Sequence, residues 1–389
     1  MLLYLDSWVI SKCADDKSDL IDKIRNSDGR IKIASTLSHI VEALPKHKNY
    51  IDKSISRLRI VTDKSISIPI RPFFEVFKIE ASNNRRPQLT DLRCEWHELL
   101  PHDQTDNFAS QTKEKVKEHF NNYLEQIPDR NLRRKARAEL ILRGKFRPEK
   151  IRILIETHRT QLVKNLEHSL PELLPIFGAG GLYDAAFGKV DQEKFNELMV
   201  ECFLHPVVIA KASFTEDLEV DVRIISNFFW DECEKLAKSI NVFLLKIIEM
   251  RSRFDLSQFE IEKLFDEYFD DAQNRTTLFR VFSEKFNEFS MRDNHSSGTN
   301  NFANLMLLLL RKKLQAHTDP NKASEFARVA KLDRGDFGDL THTVYQPYVD
   351  IFSCDRKTKN LLLESSCLKP DNICTSEAEI RERILEKNS

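Results

Sequence analysis

The sequence predicts an α/β protein whose parallel sheet is assembled from both ends of the chain and carries a large, mainly α-helical insertion. Three observations carry this expectation. Glycine is scarce, 9 of 389 residues, against a usual share of about 7%, which disfavours propellers, turn-rich barrels and collagen-like chains. The first 45 residues alternate short apolar runs with amphipathic ones, the strand–helix–strand–helix texture of parallel α/β units. That texture returns after about residue 339, and from about Asn107 to Leu314 the chain is helical in period at nearly every window.

Taken in order, Leu2-Leu3-Tyr4-Leu5 reads as a buried strand ending at Asp6. Ser18 to Ile24 reads as a helix with Leu20, Ile21 and Ile24 on one side. Asp28-Gly29 makes a turn, Ile31 to Ala34 a second strand, and Ser35 opens a helix stopped by Pro45. Ile60 to Glu80 mixes alternating and β-branched stretches with Pro69 and Pro72, which predicts a short hairpin or irregular strands. Helices follow over 113–124, 133–142, 149–170, 192–203, 222–250, 256–269 and 275–289. Asp293 to Asn301 reads as a polar loop. Leu305 to Leu310 reads as a buried helix whose basic last turn is Arg311-Lys312-Lys313. Asp339 to Tyr345 is a helix, Val349 to Cys354 a strand ending at Asp355, 359–363 a helix, and Asn372 to Cys374 a last strand. Ser376 opens the final helix, with Glu379 completing a capping box. No fixed-period repeat is visible.

Composition bounds the partners. Lys plus Arg is 60 and Asp plus Glu is 61, so a globally basic nucleic-acid binder is excluded, though a local basic face is not. The seven cysteines are an odd number, spread along the chain without a C-x-x-C pair, which fits a reducing cytoplasm better than a disulfide framework. The N-terminus does not read as a signal peptide, and the longest apolar run is far short of the ~20 residues of a membrane span.

In open parallel sheets, sites form beyond the carboxyl ends of the strands. That rule selects Asp6 and Asp355, each ending a strand. Glu42 lies one turn beyond His39 on the helix after the second strand, and Asp339 opens the helix before the late strand, with Asp336 competing for that role. Several carboxylates at one sheet edge suit Mg²⁺ or Mn²⁺, which prefer hard oxygen ligands. Such a metal acts as a Lewis acid in phosphodiester hydrolysis. Each acid alone reads better as a turn or helix-cap residue; it is the joint arrangement that points to chemistry.

The segments YLDSWVIS, IASTLSHIVEAL, GDLTHTVYQPYVDIFSCDRKTKNLL and NICTSEAEIRERIL resemble the acidic motifs and closing helix of PIN-like nuclease domains. The resemblance implies a three-layer α/β/α sandwich around a central parallel sheet, with metal bound by Asp6, Glu42, Asp339 and Asp355, and Mg²⁺- or Mn²⁺-dependent cleavage of RNA. It covers residues 1–46 and 326–389; 47–106 then form a mixed connecting region and 107–325 a helical insertion that selects substrate, binds a regulatory protein or mediates self-association. A toxin-like or antiphage role suits a family of this type. The alternatives are a DNA nuclease of the same chemistry, or a non-catalytic helical interaction protein on a degenerate scaffold. Around the acids, Ser7, His39, His342 and Asp350 are candidates for substrate contact or for orienting the carboxylates.

From Arg133 to Lys164 the chain has eleven Lys and Arg against three Glu. Arg133, Arg134, Lys135, Arg137, Arg143 and Lys145 are therefore candidate RNA-phosphate contacts, weighed against a plain solvated face. Cys94, His97, Glu98 and His102 have the wrong spacing for a zinc site, and Phe177 to Lys189 fails the P-loop pattern because Tyr stands at 183 and Val at 190.

Overall fold

A computed structural model describes the chain apart from residues 46, 84, 100–101, 143–144, 158–159, 161–163, 165–173, 188–192, 196–203, 213–222, 283–288, 292–296, 319–333, 366, 368 and 389. It divides into two compact units: Met1–Ala43 with Asp63–Glu95 and Ser226–Ser389, and Leu44–Thr62 with Trp96–Ile225.

The first unit is the α/β unit. Its elements are β1 (Leu2–Tyr4), α1 (Ser7–Ala14), α2 (Leu20–Arg25), β2 (Lys32–Ser35), α3 (Leu37–Ala43), β3 (Ser67–Pro69) and α4 (Phe73–Ser82). After the second unit's chain come α5 (Arg223–Phe254, in this unit from Ser226), α6 (Gln258–Phe269), α7 (Ala272–Phe282), α8 (Ser297–Thr318) and α9 (Arg334–Thr343). The last elements are β4 (Ile351–Ser353), α10 (Arg356–Glu364), β5 (Ile373–Cys374) and α11 (Glu377–Asn388). The five strands form one sheet in the order β3-β2-β1-β4-β5, with every pair parallel. Leu3 stands between Ile33 and Ile351 in register. Leu2, Leu3, Tyr4, Ile33, Ala34, Ile351 and Phe352 are all buried, which explains why these strands read as unbroken apolar runs instead of alternating ones.

The connections run outward from β1 to β2 and β3 on one side, and from β4 to β5 on the other. The crossover direction therefore reverses between β1 and β4, and in open parallel sheets the crevice that takes a ligand lies at such a reversal, beyond the carboxyl ends of the strands. Tyr4 anchors the core beneath it. Its ring stacks on Tyr345 at 5.3 Å and on Phe352 at 5.2 Å between centroids.

Three sequence expectations are corrected. The hairpin expected over residues 60–80 is an edge strand followed by α4. Pro69 is compatible with β3 because that strand pairs with another strand on one side only, and on its other side Pro69 only accepts, its carbonyl taking the Cys94 N–H at 3.3 Å; Phe73, Val76, Phe77 and Glu80 fall on one buried helical stripe. The polar loop expected over 293–301 lies partly outside the described residues, but Ser297–Asn301 form the buried first turn of α8. That helix continues to Thr318, so Arg311, Lys312 and Lys313 do not end it. They pair instead with Asp266 at 2.9 Å, Glu364 at 2.8 Å and Asp336 at 3.9 Å. A helix not expected from the sequence, α1, starts directly after Asp6 and buries Val9, Ile10 and Cys13.

The α/β unit is also larger than the 1–46 and 326–389 expected from the motifs, because α8 packs on α4, α9 and α10. The second unit is helical. Ile51–Val61 packs on Pro206–Ala212, and His102–Glu125 on Leu174–Ala186. Phe120 meets Tyr183 and Phe187 in its core. Arg130–Leu140 runs into a two-stranded antiparallel ribbon, Ile141–Leu142 with Lys145–Phe146. Among the described residues no helix is long and apolar enough to cross a membrane, and no disulfide joins the six described cysteines.

Candidate active site

Asp6 and Asp355 follow adjacent parallel strands, β1 and β4, on the two sides of the point where the crossovers reverse. The two aspartates are used differently. Both precede a helix, where an aspartate ordinarily accepts hydrogen bonds from the first-turn amides. Asp355 does so: Oδ1 accepts from the Thr358 N–H at 2.6 Å. Asp6 makes no side-chain cap hydrogen bond to α1. Its own N–H donates to Ser353 Oγ at 2.7 Å, which ties it to the end of β4, and Oδ1 accepts from the Ser7 hydroxyl at 3.3 Å. Its carboxylate is thus held at the crevice without serving the helix.

Glu42 and His342 reach the same place from α3 and α9, which are joined by the Ser38 and Thr341 hydroxyls at 3.2 Å. His342 Nε2 donates to Glu42 Oε1 at 2.8 Å, and its Nδ1 meets the Tyr4 hydroxyl. Burial opposes a charge on this ring, but Glu42, Asp6 and Asp339 outweigh it and push the pKa up to about 9. His342 is therefore an imidazolium at neutral pH, donating from both nitrogens. His39 is its opposite. Burial holds its pKa down, to about 3, with the His342 charge adding to the effect. Neutral, it donates from Nε2 to the Leu5 carbonyl at 2.9 Å, and Nδ1 accepts from the Thr36 N–H at 3.3 Å and hydroxyl at 3.1 Å. His39 is buried with both nitrogens committed, so it fixes the backbone just before Asp6 and does not face a substrate.

The carboxylates feel one another. Burial raises the Asp6 pKa; His342 opposes the rise and Glu42 adds to it. Asp339 lies at the exposed rim, yet partial desolvation lifts its pKa to about 6, with His342 opposing and Asp355 and Glu42 reinforcing. Burial works against the Glu42 carboxylate too, but His342 wins and its pKa is lowered. Glu42 Oε2 is buried without a hydrogen-bond partner.

This donor set fits a hard divalent cation in kind: the acids offer oxygen only, one buried oxygen has no partner, and Asp6 and Asp339 are both held toward the protonated form, first by burial and then by Glu42 nearby. Among the described residues, no group of three or more His, Cys, Asp or Glu side chains is arranged to hold a metal ion as it stands. His342 supplies part of the positive charge the crevice calls for.

Other candidates fall elsewhere. Asp350 is corrected: it precedes β4, at the amino end of the sheet opposite the crevice, where its Oδ2 accepts from the Leu2 N–H at 2.8 Å. Asp336 pairs with Lys357 at 3.4 Å and Lys313 at 3.9 Å, which leaves Asp339 as the acid coupled to Glu42 and Asp355. Arg133, Arg134, Lys135 and Arg137 lie in the helical unit; Arg143 and the Lys145 side chain lie outside the described residues. Sequence reasoning missed Tyr4 and Ser353, both of which sit in apolar strand runs. A hydroxyl in an otherwise apolar buried strand was the one available signal. No family model, curated protein or solved structure matches the chain.

Proposed function

We propose that the chain is a metal-dependent endoribonuclease with a PIN-like α/β/α catalytic core. The observation that carries this reading is Asp6. It stands in a helix-capping position without capping, beside the strand that ends in Asp355, at the reversal of a parallel sheet. Asp6, Glu42, Asp339 and Asp355 would hold Mg²⁺ or Mn²⁺, which supplies Lewis acidity toward the phosphoryl oxygens of a phosphodiester.

The chain's own residues do the rest. Ser7 holds one oxygen of Asp6, and Ser353 fixes the Asp6 backbone. His39 and Thr36 set the preceding carbonyl. His342, braced by Tyr4, orients Glu42 and brings a positive charge to a crevice that would receive a polyanion.

The test is cleavage of labelled RNA and DNA with Mg²⁺ or Mn²⁺ by wild type, Asp6→Asn and Asp355→Asn. RNA cleavage lost in both variants, with melting curves unchanged, is the expected result. Cleavage of DNA alone would move the substrate class. Cleavage that survives both substitutions, or no cleavage with either metal, would reject the assignment of these residues.

A further inference from the structure

The helical unit carries an arginine surface whose arrangement goes beyond a run of charge. Between residues 130 and 152 the chain has ten Lys and Arg against two Glu, within a protein whose net charge is −1. On the helix Arg130–Leu140, Arg130, Arg133, Arg134 and Arg137 recur at i, i+3, i+4 and i+7. That spacing sets all four on one stripe, about 10 Å long from the helical rise. Lys135 is exposed beside it.

Among the described residues, a single carboxylate serves the stripe. Glu125 accepts from Arg133 at 3.2 Å and from Arg137, and Arg133 also donates from Nε to the Ile127 carbonyl at 3.1 Å. These bonds hold two of the arginines in place. Arg130, Arg134 and Lys135 are exposed and make no ion pair among the described residues. Like charges three and four apart repel along a helix, so the stripe is held in a state that an anionic partner would relieve.

We propose that this stripe binds the phosphate backbone of single-stranded RNA. Guanidinium forks suit phosphate in a way that point charges do not. Four arginines over two turns match a partner with regularly repeated anions. A lipid-binding helix would set large apolar side chains along the charged edge. Here one flank of the stripe is Asn131 and Ala138, the large apolar residue on the other flank, Leu140, is buried in the protein, and the exposed Leu132 projects from the opposite side by the helical period. The choice of RNA rests on the nuclease reading; the anion-binding surface does not.

The test is binding without turnover. A fluorescent single-stranded RNA is titrated with the full chain in EDTA across a salt series. Arg130→Gln/Arg134→Gln/Lys135→Gln is compared with wild type; its three positions are exposed, and a thermal melt checks that the fold is kept. The triple variant is expected to bind at least about tenfold more weakly, with a log K against log salt slope shallower by about 2, the loss of three single-strand contacts. Glu125→Gln, which releases Arg133 and Arg137 from the carboxylate they share, is expected to bind RNA more tightly. Equal affinity and equal slope in the triple variant would overturn the proposal. So would wild type that ignores RNA but binds polyglutamate, or vesicles containing phosphatidylserine, through the same three residues. Because EDTA removes cleavage from the readout, binding can stand while the nuclease reading falls, and the reverse.

Discussion

A buried histidine on α9, held charged by its acidic neighbours, links the stability of this protein to pH, and Asp339 adds to that dependence in the same sense. Burial alone would neutralise His342, yet its acidic neighbours lift the pKa from an ordinary ~6.5 to about 9. A group raised in the fold adds stability that is full below its unfolded value and lost as pH rises through the folded one. The His342 contribution is therefore expected to fade between about pH 6.5 and 9. Asp339, raised to about 6, favours the protonated fold, so its share of stability is lost earlier, as pH climbs from about 4 to 6. Histidine ring resonances followed by NMR should place the His342 midpoint near 9 and leave His39 neutral down to about 3. A His342 midpoint near 6.5 would dissolve the pairing with Glu42. The same pairing sets the expected effect of His342→Ala. It strands the buried Glu42 carboxylate and the Tyr4 hydroxyl together, and a loss of about 3 kcal/mol or more is expected in a denaturant titration. His342→Gln, which can still donate to Glu42, should recover part of it.

Helix α8 explains why a polar loop expected from the sequence is structure. Ser297, Thr299 and Asn301 are polar but buried. Glu80, from the buried stripe of α4, accepts from the Gly298 N–H at 2.7 Å, the Thr299 N–H at 2.7 Å, the Thr299 hydroxyl and the Tyr348 hydroxyl. One carboxylate satisfies the first amides of α8 and meets the positive end of its dipole. The clue lay in register, not composition: Phe73, Val76 and Phe77 define a stripe whose next position is Glu80. The strands β1, β2, β4 and β5, with α2, α3 and α9–α11, were legible because their apolar patterns are strong. Gly298 falls inside the segment expected to be a loop, although its need for a hydrogen in place of Cβ is tertiary. A Cβ there would lie 2.5 Å from the Val344 carbonyl oxygen. Two outcomes follow for thermal melts. Glu80→Gln keeps the shape but loses the charge and leaves at least one donor unmet, a destabilisation of about 2 kcal/mol. Gly298→Ala should be destabilising by about 1–3 kcal/mol, because the atom it meets is backbone and cannot swing aside. Near-wild-type melting of both variants would separate α8 from the α/β core.

Chain connectivity decides how the two ends depend on each other. β1 is the middle strand, paired with β2 from nearby sequence and with β4 from the far end. The Leu2 N–H bonded to Asp350 closes a separation of 348 residues, and Asp6 N–H to Ser353 one of 347. The acidic motifs revealed that the ends belong together; they did not reveal that residues 226–318 belong with them. The helical period of that stretch is the same whether it packs on a sheet or on other helices, so periodicity alone could not assign it. The topology makes a sharp prediction for a chain ending at Asp350. It loses β4, β5, α10 and α11, and with them one whole edge of β1 and the hydroxyl that fixes Asp6. The strands β3-β2-β1 remain, but β1 becomes a three-residue edge whose buried apolar side chains lose their cover where β4 had paired, and it is not expected to hold. Amide exchange at β1 should rise to the rate of unfolded chain, while helices of the unit formed by 44–62 and 96–225 keep theirs, since their packing partners lie within that unit. Slow exchange persisting at Leu3 and Tyr4 in the shortened chain would mean that the N-terminal strands fold without the C-terminal ones, and the crevice between β1 and β4 would then be a late addition to a finished core instead of part of its closure.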